Sequence, residues 1–379
     1  MVSFRYDAPE YSSSEIVAAL AAIAEKREIV QDSYSLGGEV EGFETDMARL
    51  LGKERAIFMP TGTLANHLAI RALASKGSRI IVQERSHICQ DCGDSLSTLS
   101  GFQLIPLGHH RAGFTLEEAQ EALADASQTR VRTGIGAISI ECPVRRCHGE
   151  AFDFGEMARL TSWAKAQGIG THLDGARIFI ASTYTGIPVR RYAEFFDTVY
   201  VSLYKYFGTP SGALLAGPAS IIEGMYHERR MFGGGLNQAW VFAALAREAL
   251  SGFEDEFARA VTISEELIGL LAASGRFTVS RIPNGTNIFV LELGEAGGAN
   301  AAGVGGAGSA EGAEGAADAG AGAAVGAEDA ARFSKAMRAR GILLPEAQEG
   351  RFYLKVNTSL LGRSARSLLE DFLGAVDAV

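Results

Sequence analysis

The sequence predicts an α/β fold in which a largely parallel β-sheet is covered by helices on both faces and followed by a small α+β domain. Three observations carry this prediction. Short apolar runs bounded by polar or turn residues recur through the first two thirds of the 379-residue chain, which is strand length and strand character. Between them lie longer stretches with apolar residues at helical spacing. The last third changes rhythm, from regular alternation to one long apolar helical stretch followed by mixed short elements.

Taken in order, residues 12–27 show helical spacing behind Ser12-Ser13-Ser14, with Glu15 placed to cap the first turn. Residues 44–51 form a second helix that stops at Gly52. Ala56-Ile57-Phe58-Met59 reads as a strand, Pro60-Thr61-Gly62-Thr63 as a polar turn, and 64–74 as a helix. Strand character returns at 79–83, 103–106, 135–141, 170–174 and 198–203, with helices over 115–124 and 154–167. Residues 237–273 are helix-rich and lead out of the main domain. Strands at 278–281 and 287–293, a helix over 329–340, a strand at 352–357 and a helix from Ser364 complete the chain. The implied division is a large domain over 1–250 and a small one over 251–379. Within the second, 294–327 is almost entirely Gly and Ala, too poor in side chain to offset its ordering entropy, so a disordered surface insertion is expected.

A hydrophobic content of 47% supports a large buried core, and a net charge of −10 argues against nucleic acid or an anionic membrane as partner. A small-molecule substrate is expected instead. The start of the chain shows no basic segment before an apolar core, and no apolar run reaches bilayer length, which predicts a cytoplasmic protein. Cys89 and Cys92 make a Cys-x-x-Cys, but Cys142 and Cys147 do not supply a second close pair, so incidental thiols are expected rather than a metal or redox site.

Two apolar strands each stop at one chemically capable residue, Asp174 in His172-Leu173-Asp174-Gly175-Ala176-Arg177 and Lys205 in Ser202-Leu203-Tyr204-Lys205. An ammonium among apolar and aromatic neighbours is costly unless its pKa falls or it reacts, which suits a Schiff base. A carboxylate at the end of a neighbouring strand is what a protonated pyridine nitrogen requires. The pair points to pyridoxal 5'-phosphate. Ala176 leaves room for a flat ring, and Arg177 offers a bidentate fork to a carboxylate. Gly62 and Thr63, where a strand hands over to a helix, suit a phosphate, although many such turns bind nothing. His87 follows a strand and either stacks on a ring and moves protons or is an ordinary surface histidine. Arg229 and Arg230 precede Gly233-Gly234-Gly235, which reads as a loop delivering cations to a phosphate. The plain alternatives are a helix cap for Asp174, a surface partner for Arg177 and a snorkelling chain for Lys205.

Together, Pro60-Thr61-Gly62-Thr63-Leu64-Ala65-Asn66, the Asp174 and Lys205 runs, and Arg229-Arg230-Met231-Phe232-Gly233-Gly234-Gly235 resemble the L-threonine aldolases and related β-eliminating lyases. The resemblance runs from about Arg5 to Leu361 apart from the Gly/Ala insertion. It implies the fold type I architecture of the aspartate-aminotransferase-like enzymes: a mostly parallel seven-stranded sheet, a small C-terminal domain, and homodimers or homotetramers with the cofactor near the subunit interface. It also implies that Lys205 carries the cofactor as a Schiff base, Asp174 pairs with the ring nitrogen, and Gly62 and Thr63 hold the phosphate. His87 falls at the stacking histidine, Arg177 at a substrate-carboxylate arginine, and Arg229 or Arg230 would reach a neighbouring subunit's phosphate. Tyr6, Tyr34 and Lys355 join Arg177 as substrate-binding candidates.

Three departures stand against this pattern. Glu141-Cys142-Pro143-Val144-Arg145 replaces a second active-site histidine, Tyr6 replaces a serine, and Lys355 replaces an arginine and its fork. The leading expectation is retro-aldol cleavage of a β-hydroxy-α-amino acid such as threonine or allo-threonine to glycine and an aldehyde. The alternatives are β-elimination or transamination on the same cofactor, and a binding protein that kept the fold without the chemistry.

Overall fold

A computed structural model describes residues 1–74, 78–128, 130, 133–294 and 326–379. Apart from its flanks, the expected Gly/Ala insertion lies outside the described residues. The strands are β1 (Val2–Ser3), β2 (Arg55–Met59), β3 (Arg79–Gln83), β4 (Gln103–Leu107), β5 (Ile135–Glu141), β6 (Gly170–Asp174), β7 (Thr198–Ser202), β8 (Ala213–Gly217), β9 (Phe277–Arg281), β10 (Ile288–Leu293), β11 (Ile342–Leu343) and β12 (Arg351–Lys355).

The chain divides into two compact units. The larger comprises Tyr6–Ala258 and Ile282–Asn287. It is built on a seven-stranded sheet of order β2-β8-β7-β6-β5-β3-β4. The ladders from β4 through β3, β5 and β6 to β7 are parallel, whereas β8 runs antiparallel to both β7 and β2. The predicted mostly parallel sheet is therefore present. Strands β7 and β8 are buried at every position, as strands covered on both faces must be. β4 is half exposed and contains Pro106, which an edge strand tolerates because one side of its backbone has no ladder to complete. The sequence reading overlooked β8, whose Ala-Leu-Leu-Ala-Gly composition carries little β-propensity and becomes a strand only because β2 and β7 flank it.

Parallel strands all present their carboxyl ends on one side, and the chemically capable residues sit there. Glu141 ends β5, Asp174 ends β6 and Ser202 ends β7, with Lys205 in the turn beyond it. Open α/β sheets bind ligands at that edge.

The smaller unit comprises Met1–Arg5, Arg259–Arg281 and Ile288–Val379. Its antiparallel sheet has the order β12-β10-β9, and β1 pairs parallel with β11, which brings the first residues into this unit. Phe4, Phe289, Phe333, Phe352 and Phe372 fill its core together with the helices Ala327–Ala339 and Ala365–Val376. Lys355 stands at the end of β12 opposite Ile288, half-buried, and its backbone N–H donates to the Phe4 carbonyl. Among the described residues no helix is long and apolar enough to cross a membrane.

Candidate active site

The site grows from the turn after β2. Thr61 caps the helix Gly62–Leu73 by accepting the Leu64 N–H on its side chain, so the first-turn amides of a three-turn helix face outward at the carboxyl edge of the sheet. Gly62 is required by a close approach: a Cβ there would stand 2.0 Å from the Tyr200 hydroxyl and 2.4 Å from its ring carbon Cζ. Because Tyr200 is buried on β7 and cannot swing aside, Gly62→Ala is expected to destabilise the protein by about 1–3 kcal/mol. Urea unfolding measures this, and Tyr200→Phe should relieve it only in part because Cζ remains.

One turn along the same helix, Asn66 reaches β6. Its Nδ2 donates to Asp174 Oδ2 at 2.7 Å, while the Ala176 N–H donates to Oδ1 at 3.2 Å. Both carboxylate oxygens are thereby held, and Asp174 is only 1% exposed. Behind Asn66 the network continues: its Oδ1 meets His172 Nε2 at 2.9 Å, and His172 Nδ1 meets the Thr198 hydroxyl at 2.9 Å. The amide must donate to the carboxylate, so His172 donates through Nε2 and accepts from Thr198 through Nδ1. That assignment requires a neutral ring, and burial pushes His172 down to about 4. Asp174 is thus oriented by two neutral donors, Asn66 and the Ala176 N–H, with neutral His172 and Thr198 behind Asn66.

Lys205, half-buried, has its Nζ 5.6 Å from the centre of the Tyr204 ring. Burial first, and then the Arg177 cation, lowers its ammonium to about 8 against the opposing pull of Asp174, Asp7 and Glu141. Arg177 is itself buried, and its Nε donates to Asp7 Oδ2 at 2.7 Å, with Asn287 Nδ2 on the other Asp7 oxygen at 3.2 Å. Burial opposes that charge, but the Asp7 carboxylate more than offsets it and raises the Arg177 pKa.

His87 opens a short helix capped by Ser86, and its backbone N–H donates to Glu141 Oε2 at 2.6 Å. The Arg145 N–H donates to Oε1 of the same carboxylate at 3.0 Å, so Glu141 fixes both segments from the end of β5. Burial and the neighbouring Asp174 charge push Glu141 up to about 7. The His87 ring has Nδ1 3.7 Å from Asp91. Burial lowers its pKa below the ordinary imidazole value, assisted by the Lys205 and Arg177 cations, so it is a neutral base at physiological pH.

The two arginines of the glycine-rich loop have different surroundings. Arg229 is fully buried, and its guanidinium donates to the carbonyls of Phe58 at 2.6 Å, Ser35 at 3.3 Å and Tyr34 at 3.4 Å. It ties a turn in which Tyr34 and Ser35 both have positive φ to the end of β2. Arg230 is exposed and lies over the Tyr34 ring at 4.6 Å. Tyr6 and Tyr34 are each close to half exposed.

Lys205, Asp174, His87 and Arg177 are therefore within electrostatic reach of one another, with Gly62 and Ala176 joined to the same cluster through Tyr200 and Asp174. The sequence reading missed Asn66 as a partner of Asp174, Asp7 as the partner of Arg177, and Cys92, whose thiol is pushed up to about 12 by burial and the Asp174 charge. Asn66 lies four residues after Gly62, so helical spacing places both on one face and could have revealed it. Asp7, 170 residues from Arg177, left no such signal. All four cysteines are free thiols.

The geometry also accepts a phosphorylated pyridine. The buried Ser202 hydroxyl, three residues before Lys205, has no hydrogen-bond partner among the described residues, and outward amides lie at the Thr61 turn. A phosphate would satisfy both.

The model of the family described as beta-eliminating lyase matches residues 12–346. The chain belongs to the beta-eliminating lyase family. A low-specificity L-threonine aldolase of Saccharomyces cerevisiae is 30% identical to this lyase-family chain over 221 residues, 56% of each protein. An alanine racemase of Cochliobolus carbonum is 32% identical over 209 residues, covering 55% of this chain and 53% of its own. The chain therefore spans a little over half the length of these curated relatives. A crystal structure from Exiguobacterium described as a putative aromatic amino acid beta-eliminating lyase/threonine aldolase superposes with a TM-score of 0.79 at 22% identity. The match covers 100% of this chain and 97% of the other, and the two share a fold.

Proposed function

We propose that the protein is a pyridoxal phosphate-dependent lyase that cleaves the Cα–Cβ bond of a β-hydroxy-α-amino acid of the threonine or allo-threonine type. The observation that carries the reading is the meeting of a lysine amine lowered to about 8 with a doubly hydrogen-bonded carboxylate at adjoining strand ends. Lys205 supplies the amine that holds the cofactor aldehyde covalently, and its depressed pKa keeps part of it neutral and nucleophilic. Asp174 keeps the ring nitrogen protonated. The amides at Gly62 and Thr63 and the Ser202 hydroxyl bind the phosphate, with Arg230 as the exposed cation of its pair. When bound, pyridoxal phosphate supplies the electron sink for the bonding pair released at Cα.

Arg177, braced by Asp7, would orient the substrate carboxylate, and the half-exposed Tyr6 and Tyr34 are the further candidates for substrate binding. His87, neutral at physiological pH, would stack on the cofactor ring and accept the β-hydroxyl proton as the Cα–Cβ bond breaks. The aldehyde departs, and a proton returned to Cα gives glycine. The exposed Tyr34, Leu36, Tyr204 and Met231 support assembly of copies of the chain into a homo-oligomer.

The test is a panel of threonine, allo-threonine, phenylserine and serine incubated with purified, cofactor-loaded protein. Glycine and an aldehyde are expected from at least one of the β-hydroxy acids with a substituted β-carbon. Pyruvate and ammonia from serine, with no aldehyde from any substrate, would replace this reading by β-elimination. Val144 gives that alternative its specific support, since this buried valine, which has no proton to transfer, lies in the segment that replaces the second active-site histidine of the resembled family.

A further inference from the structure

We propose that Glu84, His109 and His110 form a binding site for a late first-row divalent cation such as Zn²⁺ or Co²⁺, separate from the cofactor chemistry and independent of it. One ligand atom from each of the three residues lies within 4.8 Å of the others. His109 Nδ1 stands 2.9 Å from Glu84 Oε1, and His110 Nδ1 stands 3.9 Å from Glu84 Oε2. Ligands of a tetrahedral zinc ion with bonds of about 2.0–2.2 Å are roughly 3.4 Å apart, so the observed separations bracket the required one. Two imidazoles and a carboxylate, with a fourth position left to water, are a donor set that late first-row dications prefer.

The backbone builds this arrangement. Neighbouring side chains in an extended chain point to opposite sides, yet the His109 and His110 rings are only 3.9 Å apart between centroids. They meet because His110 has φ +57°, a conformation uncommon outside glycine, after a tight turn at Gly108 with φ +69°. A Cβ on Gly108 would stand 2.3 Å from the Gly113 carbonyl oxygen, so the turn admits no other residue without moving.

The carboxylate is anchored from below. Glu84 follows β3 and its backbone N–H donates to Leu107 O at 2.8 Å, at the end of neighbouring β4. Its Oε2 accepts the His110 N–H at 2.7 Å, which holds the carboxylate beside both rings. The Arg85 guanidinium donates to His110 Nδ1 at 3.2 Å, which shows this nitrogen presenting a lone pair outward. A dication would displace that monovalent group, which can turn away into solvent.

Isothermal titration of the purified chain with ZnCl₂, and absorbance titration with CoCl₂, test the assignment. One ion per chain is expected, with His109→Ala and Glu84→Gln each weakening binding at least about tenfold. His109 has a 78% exposed side chain, so its truncation leaves the fold intact, and matched melting curves check this for both variants. The cobalt spectrum should show nitrogen and oxygen ligation without thiolate charge transfer. No zinc binding by the wild type, undiminished binding by His109→Ala, or a thiolate band from Cys89 or Cys147 would each overturn the proposal.

Discussion

Lys205→Ala protein is expected to remain folded, to lose covalent capture of pyridoxal phosphate, and to cleave β-hydroxy amino acids at least about 10³-fold more slowly. The fold should survive because Lys205 lies in a turn beyond β7 and its side chain makes no ladder contact. Borohydride treatment followed by peptide mass mapping reads the capture directly: the wild type should carry the reduced adduct on Lys205 and the variant on no residue. The rate of capture also has a signature in pH. An ammonium has no lone pair to attack an aldehyde, and burial and Arg177 lower the Lys205 ammonium from the ordinary 10.5 to about 8. Stopped-flow absorbance on cofactor-free protein should therefore show the rate rising up to about pH 8 and levelling above it. A rate that climbs without a break toward pH 10 would mean that burial and Arg177 do not depress this amine.

Asp174→Asn is expected to lower cleavage by about 10²–10³-fold while leaving the sheet intact. The present carboxylate accepts Asn66 Nδ2 on one oxygen and the Ala176 N–H on the other. An amide has one acceptor, so its NH₂ group must face one of those two donors. Asn66 can turn over to relieve the conflict only if the buried His172 also changes tautomer, because His172 Nε2 donates to its Oδ1 and the Thr198 hydroxyl follows either tautomer. The neutral side chain also gives up the charge that, on the proposed reading, would hold a ring nitrogen protonated. Kinetics on the substrate panel and the affinity for added pyridoxal phosphate measure the effect. Equal activity of the variant would show that the Asp174 charge has no part in the reaction.

Much of the architecture was legible because its determinants are local. Apolar runs at 79–83, 135–141 and 170–174 stop at turn or polar residues, and the strands β3, β5 and β6 occupy those same residues. Asp174 and Lys205 could be singled out for a related reason: a charged residue at the end of a buried strand, or in the turn just beyond one, stands out against its apolar neighbours. β8 escaped, since Ala, Leu and Gly at 213–217 acquire strand conformation only from flanking partners. The arginine pair shows the same limit. Arg229 and Arg230 are adjacent and alike in sequence, yet one is buried under three carbonyls and the other is exposed over Tyr34.

What the sequence determined by itself was the α/β class, the strand ends that carry chemistry, and the residue types placed there. These depend on hydrophobic period and on turn residues, both of which act over a few positions. Only the tertiary structure decided how those groups are charged and aimed. Asn66 meets Asp174 across 108 residues of chain, and Arg177 meets Asp7 across 170. Lys205 titrates near 8 because of what surrounds it in space, chiefly burial and a second cation. Desolvation and Coulomb energy depend on distances between atoms, and chain crossings set those distances where sequence spacing does not.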